Sequence, residues 1–144
     1  MLVAYDNTIQ ANLAVQHAYK MAAACGASMT IFHVVPDTAV ATAEIGTKAA
    51  PKPHASVKEI KNKAKAMLEQ LKKSLANPEV KIDTAVAVGK PSREVCKKAQ
   101  IEGYDVIVMG SRGLGKITGL LGGSVSRKVS RHAPCQVILI HAAS

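Results

Sequence analysis

Aromatic side chains are scarce in this sequence: no tryptophan, one phenylalanine and three tyrosines, none of them clustered. Proteins that bind nucleic acid often stack bases on such rings or carry a recognition motif, so nucleic acid is a disfavoured partner despite a formal charge of +9. Cysteine is limited to Cys25, Cys96 and Cys135, odd in number, far apart and without CxxC or Cys/His metal spacing. Reduced thiols in a cytosol account for them, and neither a disulfide nor zinc is indicated. Long apolar runs are also missing. The most hydrophobic stretches, Val106 to Met109 and Val137 to Ile140, fall far below the roughly 18 residues of a membrane span. The N-terminus lacks a basic region followed by a long apolar one, so the expectation is a soluble, unexported, cytoplasmic protein with no membrane partner.

Acidic residues stop early. All ten lie at or before Asp105, whereas Arg112, Lys116, Arg127, Lys128 and Arg131 follow it, and this half should attract polyanions. The lysines at 58, 61, 63, 65, 72 and 73 read instead as the solvated side of a helix. None of the five histidines pairs at metal-ligand spacing and no serine sits in a GxSxG elbow, so they read as structural or surface groups and no metal site is expected. No residue stands out as a general base toward a γ-phosphate, which makes binding a safer reading than catalysis.

With 144 residues and 48% hydrophobic composition, the chain fits one domain, 1–144, around a single substantial core. Residues 2 to 5 read as a buried strand, and Asp6, Asn7 and Thr8 suit the cap of a helix running to Cys25, with Gly26 as its stop. Ala11, Ala14, Ala18, Met21 and Cys25 give that helix a narrow apolar face of small residues. Residues 28 to 35 alternate little, as a strand covered on both faces would. From Pro36 to Ala55 no period is convincing, and the segment reads as flexible or as a flap. Ser56 to Glu59 forms a capping box before a strongly amphipathic helix. Residues 80 to 88 alternate as a half-exposed strand near a sheet edge would, and Ser92 to Glu102 form a helix stopped by Gly103. Asp105 to Met109 and Gln136 to His141 supply two more strands, with a helix from Val125 to His132 between them. Alternating strands and helices of this length imply right-handed crossovers and one parallel sheet covered on both faces, an α/β doubly wound domain.

Six of the ten glycines fall between Gly110 and Ser126, in GSRGLGKITGLLGGSVS, directly after a strand. Glycine presents N–H groups with no Cβ in the way, so the stretch reads as a cradle for an oxyanion, phosphate first. It is not a Walker loop, because Ile117 stands where GxxxxGK needs a Ser or Thr to hold magnesium. Nor is it a dinucleotide fingerprint, because Gly113 and Gly115 are followed by a glycine only at 119.

The spacing that fits is Gly110, two residues, Gly113, nine residues, then Gly123 and Ser124. With LVAYDN, IFHVV, VGKPSREV and RHAPCQVILI, it makes nearly the whole chain resemble the ATP-binding branch of the universal stress protein family. The resemblance implies a Rossmann-like, adenine nucleotide alpha hydrolase-like fold with five parallel strands in the order 3-2-1-4-5. It implies that Gly110, Gly113, Gly123 and Ser124 hold phosphates, with Arg112 inside the loop and Val125 and Ser126 opening the last helix. Asp6 would contact the nucleoside, Val34 would recognise adenine through its backbone, and Met109 would pack near the base. Read from residues alone, Asp6 also suits a helix cap, Ser124 an N-cap, and Val34 and Met109 ordinary sheet core. The ligand implied is ATP with magnesium, and the partner a second copy joined along Gln136 to His141. The leading expectation is a nucleotide-dependent stress-response regulator. Two alternatives stand beside it: a slow ATPase or autophosphorylating protein, prompted by Ser111, Thr118 and Ser124, and a basic nucleic-acid-associated protein, prompted by the charge.

Overall fold

Strands that are hydrophobic without alternation must be covered on both faces, and the chain meets this requirement with two separate cores. The computed structural model describes residues 1–44, 56–75, 79–111 and 125–142. Its elements are β1 (Leu2–Ala4), α1 (Ile9–Cys25), β2 (Met29–Pro36), α2 (Asp37–Glu44), α3 (Val57–Ser74), β3 (Ile82–Gly89), α4 (Pro91–Glu102), β4 (Val106–Ser111), α5 (Val125–His132) and β5 (Gln136–His141). All strand pairings are parallel and the order is β3-β2-β1-β4-β5, as the resemblance implies.

Neighbouring strand residues point to opposite faces, and the two cores divide along that alternation. Val3, Met29, Ile31 and Val108 pack under α1 and α3, against Ala14, Val15, Ala18 and Leu68. Leu2, Phe32, Ile107 and Met109 pack on the other face under α4 and α5, against Val95, Ala99 and Val129. The small residues of α1 leave little side chain between helix and sheet. β3 and β5 form the two edges, and most of their side chains are only half-buried.

Helix ends follow the local chemistry. Thr8 caps α1 by accepting from the Ala11 N–H, and Ser56 and Glu59 close a reciprocal capping box on α3. Gly26 and Gly103 stop α1 and α4 in left-handed conformations. α2 is the element that periodicity did not reveal. It starts directly after Pro36, the Asp37 Oδ1 accepts from the Thr38 N–H at 3.0 Å, and its alanines favour a helix without supplying an apolar stripe. Residues 45–55 lie outside the described residues.

Leu68 is fully buried, whereas Ser56 contributes only at a helix end. Leu68→Ala should cost about 2–5 kcal/mol and Ser56→Ala about 1 kcal/mol. Urea unfolding of the two variants checks the ranking. A larger loss at Ser56 would contradict the packing described.

Candidate functional site

The sheet grows in two directions from its centre, β2 and β3 on one side of β1 and β4 and β5 on the other. After β1 the chain turns onto one face as α1, and after β4 it returns on the other face as α5. The two departures leave a crevice beyond the carboxyl ends of the strands, where ligands of such sheets bind. Its volume is about 470 Å³, within the range of about 300–1,000 Å³ usual for small-molecule sites. Phe32, Val34, Pro36, Val95 and Met109 supply apolar walls, and Asp6, His33 and Ser126 supply polar groups.

One wall is a tightly bonded turn between β1 and α1. The Asp6 Oδ1 accepts from the Thr8 N–H at 3.1 Å and from the Thr8 hydroxyl at 2.6 Å, while Asn7 takes the left-handed conformation that asparagine tolerates. The Tyr5 hydroxyl lies 3.0 Å from Asn7 Oδ1 and 3.1 Å from Asn12 Oδ1, donating between them. Burial pushes the Tyr5 phenol above its ordinary value, opposed by the Asn12 hydrogen bond and reinforced by the charge of Asp6. The hydroxyl therefore keeps its proton and its role as donor. Asp6 itself is exposed at the crevice.

The opposite wall offers main-chain groups. Thr30 donates its N–H to the Met1 carbonyl at 2.9 Å, and the Phe32 carbonyl accepts from the Tyr5 N–H at 2.9 Å, so alternate residues of β2 face β1. Val34 continues this parity, but the β1 pairing ends at Ala4 and Phe32. The N–H and C=O of Val34 thus point into the crevice, past the last rung of the ladder. Beside them, the His33 Nδ1 lies 2.7 Å from the Tyr5 carbonyl. A carbonyl only accepts, so Nδ1 is the donor in this contact.

At the third side, β4 approaches α1 so closely that a Cβ on Gly110 would lie 2.6 Å from the Gln10 carbonyl carbon and 2.8 Å from the Ala11 nitrogen. Only glycine fits there. Gly110, which opens the glycine-rich stretch, and Val125 and Ser126, which close it, line the same crevice. Ser126 is buried in the first turn of α5, where the helix dipole favours an anion.

Comparison with known proteins agrees with this fold. The profile of the Universal stress protein family matches residues 1–141. The chain belongs to that family. It is 33% identical to universal stress protein YxiE of Bacillus subtilis over 144 residues, covering 97% of each chain. Among solved structures, that of MJ0577, a universal stress protein of Methanocaldococcus jannaschii, superposes with a TM-score of 0.78 at 25% identity, covering 99% of this chain and 95% of that one. An Arabidopsis thaliana universal stress protein solved with AMP bound shares the fold, with a TM-score of 0.61 at 17% identity and coverage of 99% and 91%.

Of the residues that the family resemblance singles out, Asp6, Val34, Met109, Gly110, Val125 and Ser126 meet in the one crevice. Arg112, Gly113, Gly123 and Ser124 lie outside the described residues. Sequence reasoning had no use for Phe32, Pro36 and Val95, which line the crevice, or for His33, which read as structural or surface. Their signal was faint: His33 interrupts an otherwise apolar strand, and Pro36 ends it.

The steric demand at Gly110 is independent of any ligand. Gly110→Ala should destabilise the protein by about 1–3 kcal/mol, measured by urea unfolding without nucleotide. Unchanged stability would mean that α1 and β4 are not in the contact described.

Proposed function

We propose that the crevice binds an adenine nucleotide, ATP with magnesium, and that occupancy alters dimer stability or partner contacts in a stress response. The observation that carries this reading is the meeting of Asp6, the main chain of Val34 and the start of α5 around one apolar-walled space, between the stems of a G-x2-G-x9-G-S stretch. Each part suits one part of the ligand. The outward N–H and C=O of Val34 match the donor and acceptor edge of adenine, and Met109 and Phe32 give the base apolar cover. The Asp6 carboxylate accepts from ribose hydroxyls with the lone pairs that Thr8 leaves unused. The first turn of α5, Gly110, Gly113, Gly123 and Ser124 hold phosphates through amides and hydroxyls, with Arg112 adding charge. Among the described residues no three His, Cys, Asp or Glu side chains gather to hold a metal, so magnesium would arrive on the phosphates themselves. Universal stress proteins solved with AMP and with cAMP have this fold, which therefore admits adenine nucleotides.

The second copy belongs to the same reading. Among the described residues β5 is an edge strand, and Gln136–His141 contains neither proline nor an acidic or lysine side chain to blunt its pairing with another chain. Two chains joined there, each with a nucleotide, make the regulatory unit.

Calorimetric titration with ATP and magnesium should give saturable binding, weakened about tenfold by Asp6→Asn, which keeps an oxygen for Thr8 but loses the charge. Sedimentation should give a particle of twice the 15.1 kDa chain mass, with the monomer–dimer balance shifted by ATP. No binding by the native protein, or equal binding by Asp6→Asn, would refute the nucleotide site. A monomer with and without ATP would refute the dimer.

A further inference from the structure

Outside the crevice, the flanks of α4 and α5 enclose a second concavity of about 790 Å³. Arg93 and Lys97 line it from α4, and Arg127, Lys128, Arg131 and His132 from α5. Among the described residues no carboxylate lines it; the other lining groups are Ser92, Cys96 and Gln100. The acids of α4 are engaged elsewhere. Glu102 accepts from Lys98, whose ammonium also sits 5.3 Å from the Phe32 ring, and the Glu94 side chain packs over Gly89. The cations repeat at i and i+4 on both helices, so charges recur about every 6 Å along two neighbouring rails.

We propose that this groove binds inorganic polyphosphate, a single linear chain of phosphates. Arg93 and Arg131 supply forked donors that suit oxyanions, and a row of cations with no acid among the described lining residues gains by releasing the counterions of a polyanion. Width decides against a duplex. α4 and α5 pack against each other, and packed helices lie about 8–10 Å apart, a spacing that suits one phosphate strand better than the two backbones of a duplex. Chemistry decides against an acidic protein segment, because the groove exposes no large apolar side chain to seat the anchor on which such interfaces depend. With no aromatic ring in the lining, bases have nothing to stack on, so sequence is not read. The charge thus marks a local surface with one kind of ligand.

The test uses fluorescently labelled inorganic polyphosphate, with single-stranded DNA, duplex DNA and polyglutamate of matched charge as comparison polyanions. Arg93→Glu with Arg131→Glu places two reversals in the groove. Lys63→Glu with Lys65→Glu makes the same change in net charge on α3, across the sheet. Both pairs are solvent-exposed, so both variants should keep the native unfolding curve. The groove variant should lose binding about tenfold or more and lower the salt slope by about two, while the α3 variant stays near native. Displacement of the polyphosphate by single-stranded DNA of equal charge would assign the groove to nucleic acid and overturn the proposal. Millimolar ATP should leave the complex intact, which separates this groove from the crevice. Equal losses in the two variants, equal binding of polyglutamate or duplex, or displacement by ATP would overturn the proposal, as would no binding at all.

Discussion

The contact between Gly110 and the first turn of α1 sets the geometry of everything above the sheet. A side chain of even one carbon at that position would meet the backbone of Gln10 and Ala11, so β4 and α1 close upon each other and seal one side of the crevice. The turn that leads into α1 is in turn held by Asp6, Asn7 and Thr8, and its bonds explain why Asp6 stays at the rim. The same glycine that the phosphate reading uses for its amide is therefore required by packing first. A residue can answer to both demands at once.

Burial of the strands on both faces leaves polar chemistry little room except at their ends. β1 is short and stops at Ala4, while β2 runs on to Pro36. The difference in length, more than any single side chain, exposes the main chain of Val34 beside the point where the sheet reverses. Specific recognition by backbone groups costs no side-chain ordering, and neighbouring rungs fix its geometry. This division places apolar walls below and hydrogen-bonding groups above, the arrangement common in small-molecule sites.

Much of this was legible in the residues. The small apolar face of α1, the capping box at Ser56 and Glu59 and the left-handed stops at Gly26 and Gly103 each announce themselves through local chemistry, and the boundaries agree within a residue or two. What could not be read depends on contacts distant in the chain. α2 has helix-favouring alanines but no apolar stripe to give it a period. The parity of Val34 depends on where β1 stops, and the steric need at Gly110 depends on a residue a hundred positions away. The basic groove was visible only as half of a charge asymmetry, because Arg93 and Lys97 join Arg127 and Arg131 through the fold and not through sequence.

The crevice and the groove share two helices but differ in character. Pro91, Val95, Val125 and Ser126 turn one side of α4 and α5 to the crevice, and the cations turn outward. Membership of the universal stress protein family accounts for the fold. The most direct measurement of the central claim is amide chemical-shift mapping by NMR during addition of ATP and magnesium. The account predicts that the amides of Asp6, Val34, Gly110 and Ser126 move together along one binding curve while those of α3 stay still. Shifts confined to the α4 and α5 flank, with the crevice amides unmoved, would contradict it.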